Sequence, residues 1–167
     1  MTDAVRLPAS DALLVVDVQS SFPLPDAVLS GIRGLVPRIY TVATVERHDE
    51  RVTPFEAQLG WRPGTDDVSL VEADHVVIKH GYLPPVSLID HLRARGVERV
   101  FVCGIQADTC CLAAGFMLFD AGLHPTLLRW LTVGSSLDRS AALGERLWRH
   151  HFGAHAVVAR PEDLLPA

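Results

Sequence analysis

Val100 to Gly115 reads Val-Phe-Val-Cys-Gly-Ile-Gln-Ala-Asp-Thr-Cys-Cys-Leu-Ala-Ala-Gly, and its reading decides the fold. It opens as a buried apolar strand, breaks at Gly104 and restarts as a helix with Asp108 as its expected cap. Such a strand–turn–helix unit places Cys110 in the first helical turn. There, unpaired backbone N–H groups and the helix dipole favour a thiolate, the nucleophilic form of cysteine. Two further residues occupy comparable places. Asp17 ends the apolar run Ala12–Val16, and Lys79 ends the run Val76–Ile78. Residues just past strand ends gather along one edge of a parallel sheet, the edge at which open α/β sheets bind ligands. An acid, a base and a thiol far apart in sequence are therefore expected to converge.

Outward from this stretch, short β-rich runs alternate with helical patterns. Strands are expected near 12–16, 39–45, 75–79, 98–103, 125–131 and 155–158. Helices are expected near 27–36, 86–95, 108–121 and 137–151, with a short turn at 161–165. The alternation predicts an α/β fold, a Rossmann-like doubly wound parallel sheet of about six strands flanked by helices. Gly122 and Gly153 follow two of the helices as C-terminal caps. The 47–74 region carries Pro54, Gly60, Pro63 and Gly64, reads as irregular, and is a natural source of a pocket wall.

Composition narrows the class. At 167 residues the chain is expected to form one domain, 1–167, with a substantial core. Apolar residues make up 49% and the net charge is −5, which fits a globular protein. With no basic cluster to follow a phosphate backbone, nucleic acid is not an expected partner. No apolar run approaches the length of a membrane span, so no membrane partner is expected either. Three cysteines, two of them adjacent, do not make a disulfide framework. The first residues lack the charged-then-apolar form of a secretory leader, and a reducing, cytoplasmic setting is expected. Cys103 and Cys111 read as core residues.

Three motifs resemble the isochorismatase-like cysteine hydrolases, the family of nicotinamidases and N-carbamoylsarcosine amidase. Asp17-Val18-Gln19-Ser20-Ser21-Phe22 is similar to the family's Asp-x-Gln-x-x-Phe. Lys79-His80-Gly81-Tyr82 is similar to its lysine segment. Gly104 to Cys111 is similar to Gly-x-x-Thr-Asp-x-Cys-Val, with Ala107 in place of the usual threonine. The resemblance covers nearly the whole chain and implies a catalytic triad of Asp17, Lys79 and Cys110. It also implies a cis peptide between Ile105 and Gln106, and an oxyanion hole built from the backbone N–H groups of Gln106 and Cys110. The implied reaction is hydrolysis of a small, non-peptide amide through a cysteine thioester, with no cofactor. A homodimer or homotetramer is the implied assembly, and the expected partner is a small-molecule substrate. Two alternatives stand beside this reading: a vinyl ether hydrolase of the isochorismatase type, and a non-catalytic binding or assembly module on the same fold.

Phe22, Trp61 and Tyr82 are expected to line the pocket, because each follows or faces a motif. The metal site of nicotinamidases, by resemblance, uses Asp-x-His and further histidines. Here Glu46 and His48 fall at the matching positions as weak candidate ligands, and no histidine follows before His75. The segment Glu46 to Arg51 is accordingly expected to be a solvated charged loop without a metal.

Overall fold

The computed structural model describes residues 7–164. Six strands form one parallel sheet: β1 (Asp11–Val16), β2 (Tyr40–Glu46), β3 (His75–Lys79), β4 (Arg99–Ile105), β5 (Pro125–Val133) and β6 (Val157–Val158). Their spatial order is β3-β2-β1-β4-β5-β6. The chain thus winds one way from β1 to β3, then crosses over and winds the other way from β4 to β6. The switch point lies between β1 and β4, where a doubly wound sheet opens its crevice.

The helices are α1 (Asp26–Leu35), α2 (Phe55–Leu59), α3 (Ser87–Ala94), α4 (Cys110–Asp120) and α5 (Ala142–Phe152). Every residue of β1 is buried, as a central parallel strand covered on both faces should be. Alternation along β1 divides the core in two. Ala12, Leu14 and Val16 meet Leu88 and Leu92 of α3, Leu118 of α4 and Trp148 of α5. Leu13 and Val15 meet Ile32 and Leu35 of α1 with Phe101 and Cys103 of β4. Cys111 lies fully buried in the first of these clusters, so both cysteines expected in the core are there.

Several elements differ from their expected form. Gly104 does not end the strand, because β4 runs through it to Ile105 with an irregularity in its pairing to β5. Its φ is +107°, and a Cβ there would sit 2.3 Å from the Val16 carbonyl oxygen. Only glycine lets β4 approach β1 so closely beneath the switch point.

The expected helix 137–151 begins only at Ala142. The Asp138 carboxylate accepts from the Leu143 and Ser140 N–H groups, so Asp138 to Ala141 form the turn that starts the helix. Gly122 and Gly153 both have positive φ just beyond helix ends, as their cap role requires. The irregular 47–74 region contains the short helix α2, which follows Pro54 and is too brief to leave a periodic signal. The turn near the C-terminus spans Pro161–Leu164; Leu165, its last expected residue, lies outside the described residues. Among the described residues no helix is long and apolar enough to cross a membrane.

Candidate active site

The C-terminal ends of four neighbouring strands meet at one place. In spatial order they bring Lys79 from the end of β3, Glu46 from the end of β2, Asp17 just past β1 and Cys110 just past β4. Glu46 and Lys79 are register partners. The three residues of the expected triad do converge. One oxygen each of Asp17 and Glu46 and the Cys110 Sγ lie within 4.8 Å of one another.

Lys79 sits in the middle of them. Its Nζ lies 2.8 Å from Asp17 Oδ2 and 3.5 Å from Cys110 Sγ, and it donates to Glu46 Oε2 at 3.0 Å and to the Gly81 carbonyl at 2.6 Å. The lysine is fully enclosed, with 2% of its surface exposed. Burying an ammonium is costly unless anions surround it, and here two carboxylates do. Burial alone would push its pKa down. The charges of Asp17 and Glu46 outweigh that and hold Lys79 protonated, above the usual lysine range.

Asp17 is held by its backbone and by a hydroxyl. Its φ of +51° is a left-handed conformation that aspartate tolerates better than most residues. The Asp17 N–H donates to the Thr44 carbonyl, and Thr44 Oγ1 donates to Asp17 Oδ1 at 2.7 Å. Thr44 is fully buried and leaves the second carboxylate oxygen to Lys79. Thr44 lies two residues before Glu46 on β2 and so shares its face, a positioning role that sequence reasoning missed.

Glu46 is the main correction to the sequence reading. It was expected in a solvated loop, yet β2 extends one residue further than expected and carries it into the site with 2% exposure. Gln19 clamps its backbone, accepting from the Glu46 N–H at 2.7 Å and donating to its carbonyl at 2.8 Å. Asp67 in turn accepts from Gln19 Nε2 at 2.8 Å and from the Ser21 N–H. Burial, and then the Asp17 charge, raise the Glu46 carboxyl above its ordinary pKa, against the pull of Lys79. The Asp67 carboxyl responds the other way. Partial burial pushes it up, but hydrogen bonds from Ser21, Ser20 and Gln19 outweigh that and hold it at about 2.

The Cys110 thiol also departs from expectation. Burial and the nearby Asp17 push its pKa well above the ordinary range, and Lys79 only partly opposes them. The resting site therefore favours the thiol over a standing thiolate.

Asp108 does not cap α4. The N-cap position belongs to Thr109, which makes no side-chain cap bond. The Asp108 carboxylate instead accepts from the N–H and the hydroxyl of Ser135, at 2.8 and 2.6 Å. This ties the start of α4 to the segment after β5. Nothing local in the sequence marks a partner 27 residues away.

The peptide between Ile105 and Gln106 is cis. The Gln106 carbonyl accepts from the Thr109 and Cys111 N–H groups, and the Ala107 N–H donates to the Val133 carbonyl. Among the described residues, the N–H groups of Gln106 and Cys110 donate to no partner within the chain. Ala107, in the place of the family's threonine, is fully buried, and a Cβ on Gly144 would sit 2.4 Å from its methyl group.

A cavity of about 380 Å³ opens over this group. Asp17, Glu46 and Cys110 line it together with Ile105, Gln106 and Ser135, and Phe22, Trp61 and Tyr82 supply aromatic surface. Phe55 backs the latter two, with ring centroids 5.3 Å from Trp61 and 5.6 Å from Tyr82. A larger hollow of about 1020 Å³ lies at the opposite strand ends, but its walls hold neither cysteine nor histidine.

The fit to a nicotinamidase-type metal site fails on geometry. Glu46 groups with Asp17 and Cys110, whereas His48 groups with Glu50 and Glu56. The two positions that should share an ion therefore belong to separate clusters. The inner cluster already has a cation at its centre, the Lys79 ammonium. In the outer cluster His48 Nε2 pairs with Glu50 at 3.1 Å, and the Glu50 carboxylate accepts the first N–H groups of α2.

An isochorismatase domain matches residues 11–155, and the chain belongs to the isochorismatase family of hydrolases. Solved structures with the same fold include the PnC1 protein of L. infantum in complex with nicotinate. It is 24% identical, with a TM-score of 0.70 over 93% of this chain and 99% of that one. N-carbamoylsarcosine amidase from Thermoplasma acidophilum is 19% identical, with a TM-score of 0.72 over 94% and 99%. Pyrazinamidase of Pyrococcus horikoshii, solved in complex with zinc, is 22% identical, with a TM-score of 0.68 over 89% and 97%. No protein of curated function matches the chain in sequence. The likeness to these structures is one of fold.

Proposed function

We propose that the protein is a cysteine amidohydrolase that cleaves the C–N bond of a small, non-peptide amide. The observation that carries this reading is the Lys79 ammonium bridging Asp17 and Cys110 beneath the cavity. Because the resting thiol is protonated, the thiolate forms only as the substrate is attacked. Asp17 takes the thiol proton and Cys110 Sγ adds to the carbonyl carbon. Lys79 stabilises the sulfur while it carries charge. The free N–H groups of Gln106 and Cys110 receive the developing oxyanion, a contribution of about 3 kcal/mol for each donor in comparable sites. Asp17 then returns its proton to the departing nitrogen, and water cleaves the thioester.

The amidases among the structural relatives support the same class of reaction. No step needs a cofactor, since the acid, the base and the electrophile's partners all come from the chain. The test is a panel of small amides and carbamoyl compounds assayed for ammonia or amine release. Release by the wild-type protein and none by Cys110→Ala supports the reading. Equal release by both contradicts it.

A further inference from the structure

The connection between α2 and β3 runs as a strap over the ends of β1 and β2, and it carries Trp61 on the cavity wall. It has no helix or strand of its own, and a loop of that length wanders unless it is tied. Its backbone is tied at both strand ends. The Leu70 N–H donates to the Val18 carbonyl, and Ser69 bridges to Gln19. The Gly64 carbonyl accepts from the His48 N–H at 2.8 Å, and the Asp67 carbonyl accepts from Arg47 Nε at 2.9 Å. None of these bonds holds Ser20 to Phe22, the turn that brings Phe22 to another stretch of the wall.

The Asp67 side chain makes that connection. Its Oδ1 accepts from Ser20 Oγ at 2.7 Å, and its Oδ2 accepts from the Ser21 N–H at 2.9 Å and from Gln19 Nε2 at 2.8 Å. A weaker link runs beside it, from the Gly64 N–H to Ser21 Oγ at 3.2 Å. The two segments are pressed together there: a Cβ on Gly64 would sit 2.8 Å from Ser21 Oγ and 3.3 Å from the Asp67 carboxyl carbon. With three donors on it the carboxylate stays ionised, and so accepting, through the whole neutral range.

Ser20, Ser21 and Asp67 do not line the cavity, so this carboxylate does not act by touching substrate. It acts on spacing, because Phe22 and Trp61 stand on the two segments it joins. We infer that Asp67 is a positioning residue: by clasping the Gln19–Phe22 turn to the strap, it sets the gap between Phe22 and Trp61 and with it the girth of the group that reaches Cys110. Without the clasp the strap keeps its backbone ties, but Trp61 is free to swing away from Phe22 and wider groups enter. The chemical readout of this inference rests on Cys110 being the nucleophile.

The test labels Cys110 of the intact protein with iodoacetamide and with N-pyrenyl iodoacetamide, which share a reacting centre and differ in girth. Peptide mass spectrometry gives both rates, and their ratio is divided by the same ratio for a free small-molecule thiol. The wild-type protein should favour the slimmer reagent by at least about tenfold, as a wall that clashes with the wider one requires. In Asp67→Ala this preference should fall by at least about fivefold, the scale of a lost hydrogen bond to a charged group at a part-exposed place. Asp67→Asn should stay within about twofold of the wild type, because its amide oxygen keeps the Gln19 and Ser21 donors and the Ser20 hydroxyl turns to accept from its NH2 group. Ser20→Ala removes one contact and should shift the ratio the same way as Asp67→Ala, by less; it carries the test if Asp67→Ala does not fold.

A corrected wild-type ratio near one overturns the inference. So does a wild-type ratio in Asp67→Ala, or in Ser20→Ala where that variant stands in for it. Faster labelling by both reagents equally, the mark of general loosening, also overturns it, as does an Asp67→Asn shift as large as that of Asp67→Ala. In each case labelled Cys110 leaves the nucleophile reading standing. Fluorescence anisotropy of Trp61, taken as the difference from Trp61→Phe, reads the strap without any reaction at Cys110. It should fall in Asp67→Ala and hold in Asp67→Asn, and an unchanged value in both overturns the inference. If neither reagent modifies Cys110 in the folded protein, the nucleophile reading fails and the anisotropy alone decides the clasp.

Discussion

Glu46 and His48 are two residues apart, but they live in different surroundings. Glu46 ends a strand, is enclosed, and shares one oxygen with a lysine and a cysteine. His48 begins the loop beyond, and pairs with Glu50, a carboxylate open to solvent that also starts a short helix. The inner carboxylate works in a dry space where each charge and each unpaired oxygen counts. In the outer pair the His48 ring is largely enclosed, and Glu50 is the member that water can reach. The same sequence segment thus feeds a reactive centre with its first residue and a surface loop with its third. The point at which β2 ends is what separates them.

The largest effect should come from the inner region. Cys110→Ala is expected to lower turnover by at least about a thousandfold, as removal of a nucleophile does. Cys111→Ala should leave the rate within a few fold, because that thiol packs in the core and its sulfur lies 3.9 Å from the Cys103 carbonyl, away from the cavity. Steady-state kinetics of the two folded variants decide it. Equal loss in both would break the assignment of the inner site.

Asp17→Asn and Lys79→Met are each expected to reduce the rate by about a hundredfold, the usual weight of a proton-transferring or charge-stabilising group. Lys79→Met and Glu46→Gln test the electrostatics through the pH dependence of Cys110 alkylation. An ordinary thiol reaches its full rate soon above its pKa of about 8.5. Burial and the adjacent carboxylates raise that of Cys110, so its rate should still climb beyond this point. Lys79→Met removes a cation and should move the profile further up, while Glu46→Gln removes an anion and should move it down. Lys79 itself stays protonated through this range, since its pKa is held above the usual value. Profiles that move the same way in both variants would show that the charges do not act on the sulfur.

These contrasts also show what the sequence makes legible. Asp17 and Lys79 could be read because each follows an apolar run, and Cys110 because it opens a helix after a buried strand; a parallel sheet delivers such positions to one edge. The doubly wound parallel sheet of six strands and both glycine caps follow from the same regularities. Glu46 was hidden because it opens a charged run, Glu46-Arg47-His48-Asp49-Glu50-Arg51, that looks like a solvated loop. One further residue of strand pairing, Glu46 with Lys79, decides its burial, and strand ends are set by tertiary contacts. Asp108 has the residue type and place of a helix cap, but Ser135 competes for its carboxylate and wins through two hydrogen bonds at once. Thr44 and Gln19 act across the sheet at a separation of 27 residues, beyond any local pattern.

The smallest effects should come from the outer region. His48→Ala is expected to change the rate less than about threefold, since its ring does not line the cavity. Glu50→Ala should cost a little thermal stability by freeing the first N–H groups of α2, with the rate preserved. Exhaustive chelation should leave activity intact, because Lys79 already fills the centre of the inner cluster. Elemental analysis of the purified protein with assay before and after chelator dialysis checks this. Stoichiometric metal whose removal stops turnover would merge the two regions into one site.

The central claim is that Cys110 carries the acyl group during the reaction. Intact-protein mass spectrometry after rapid acid quench, during turnover of an amide that releases ammonia, measures this directly. The account predicts a mass increase equal to the acyl group, mapped to the Cys110 peptide and absent in Cys110→Ala. Ammonia release with no adduct at any quench time, and with its rate retained in Cys110→Ala, would contradict it.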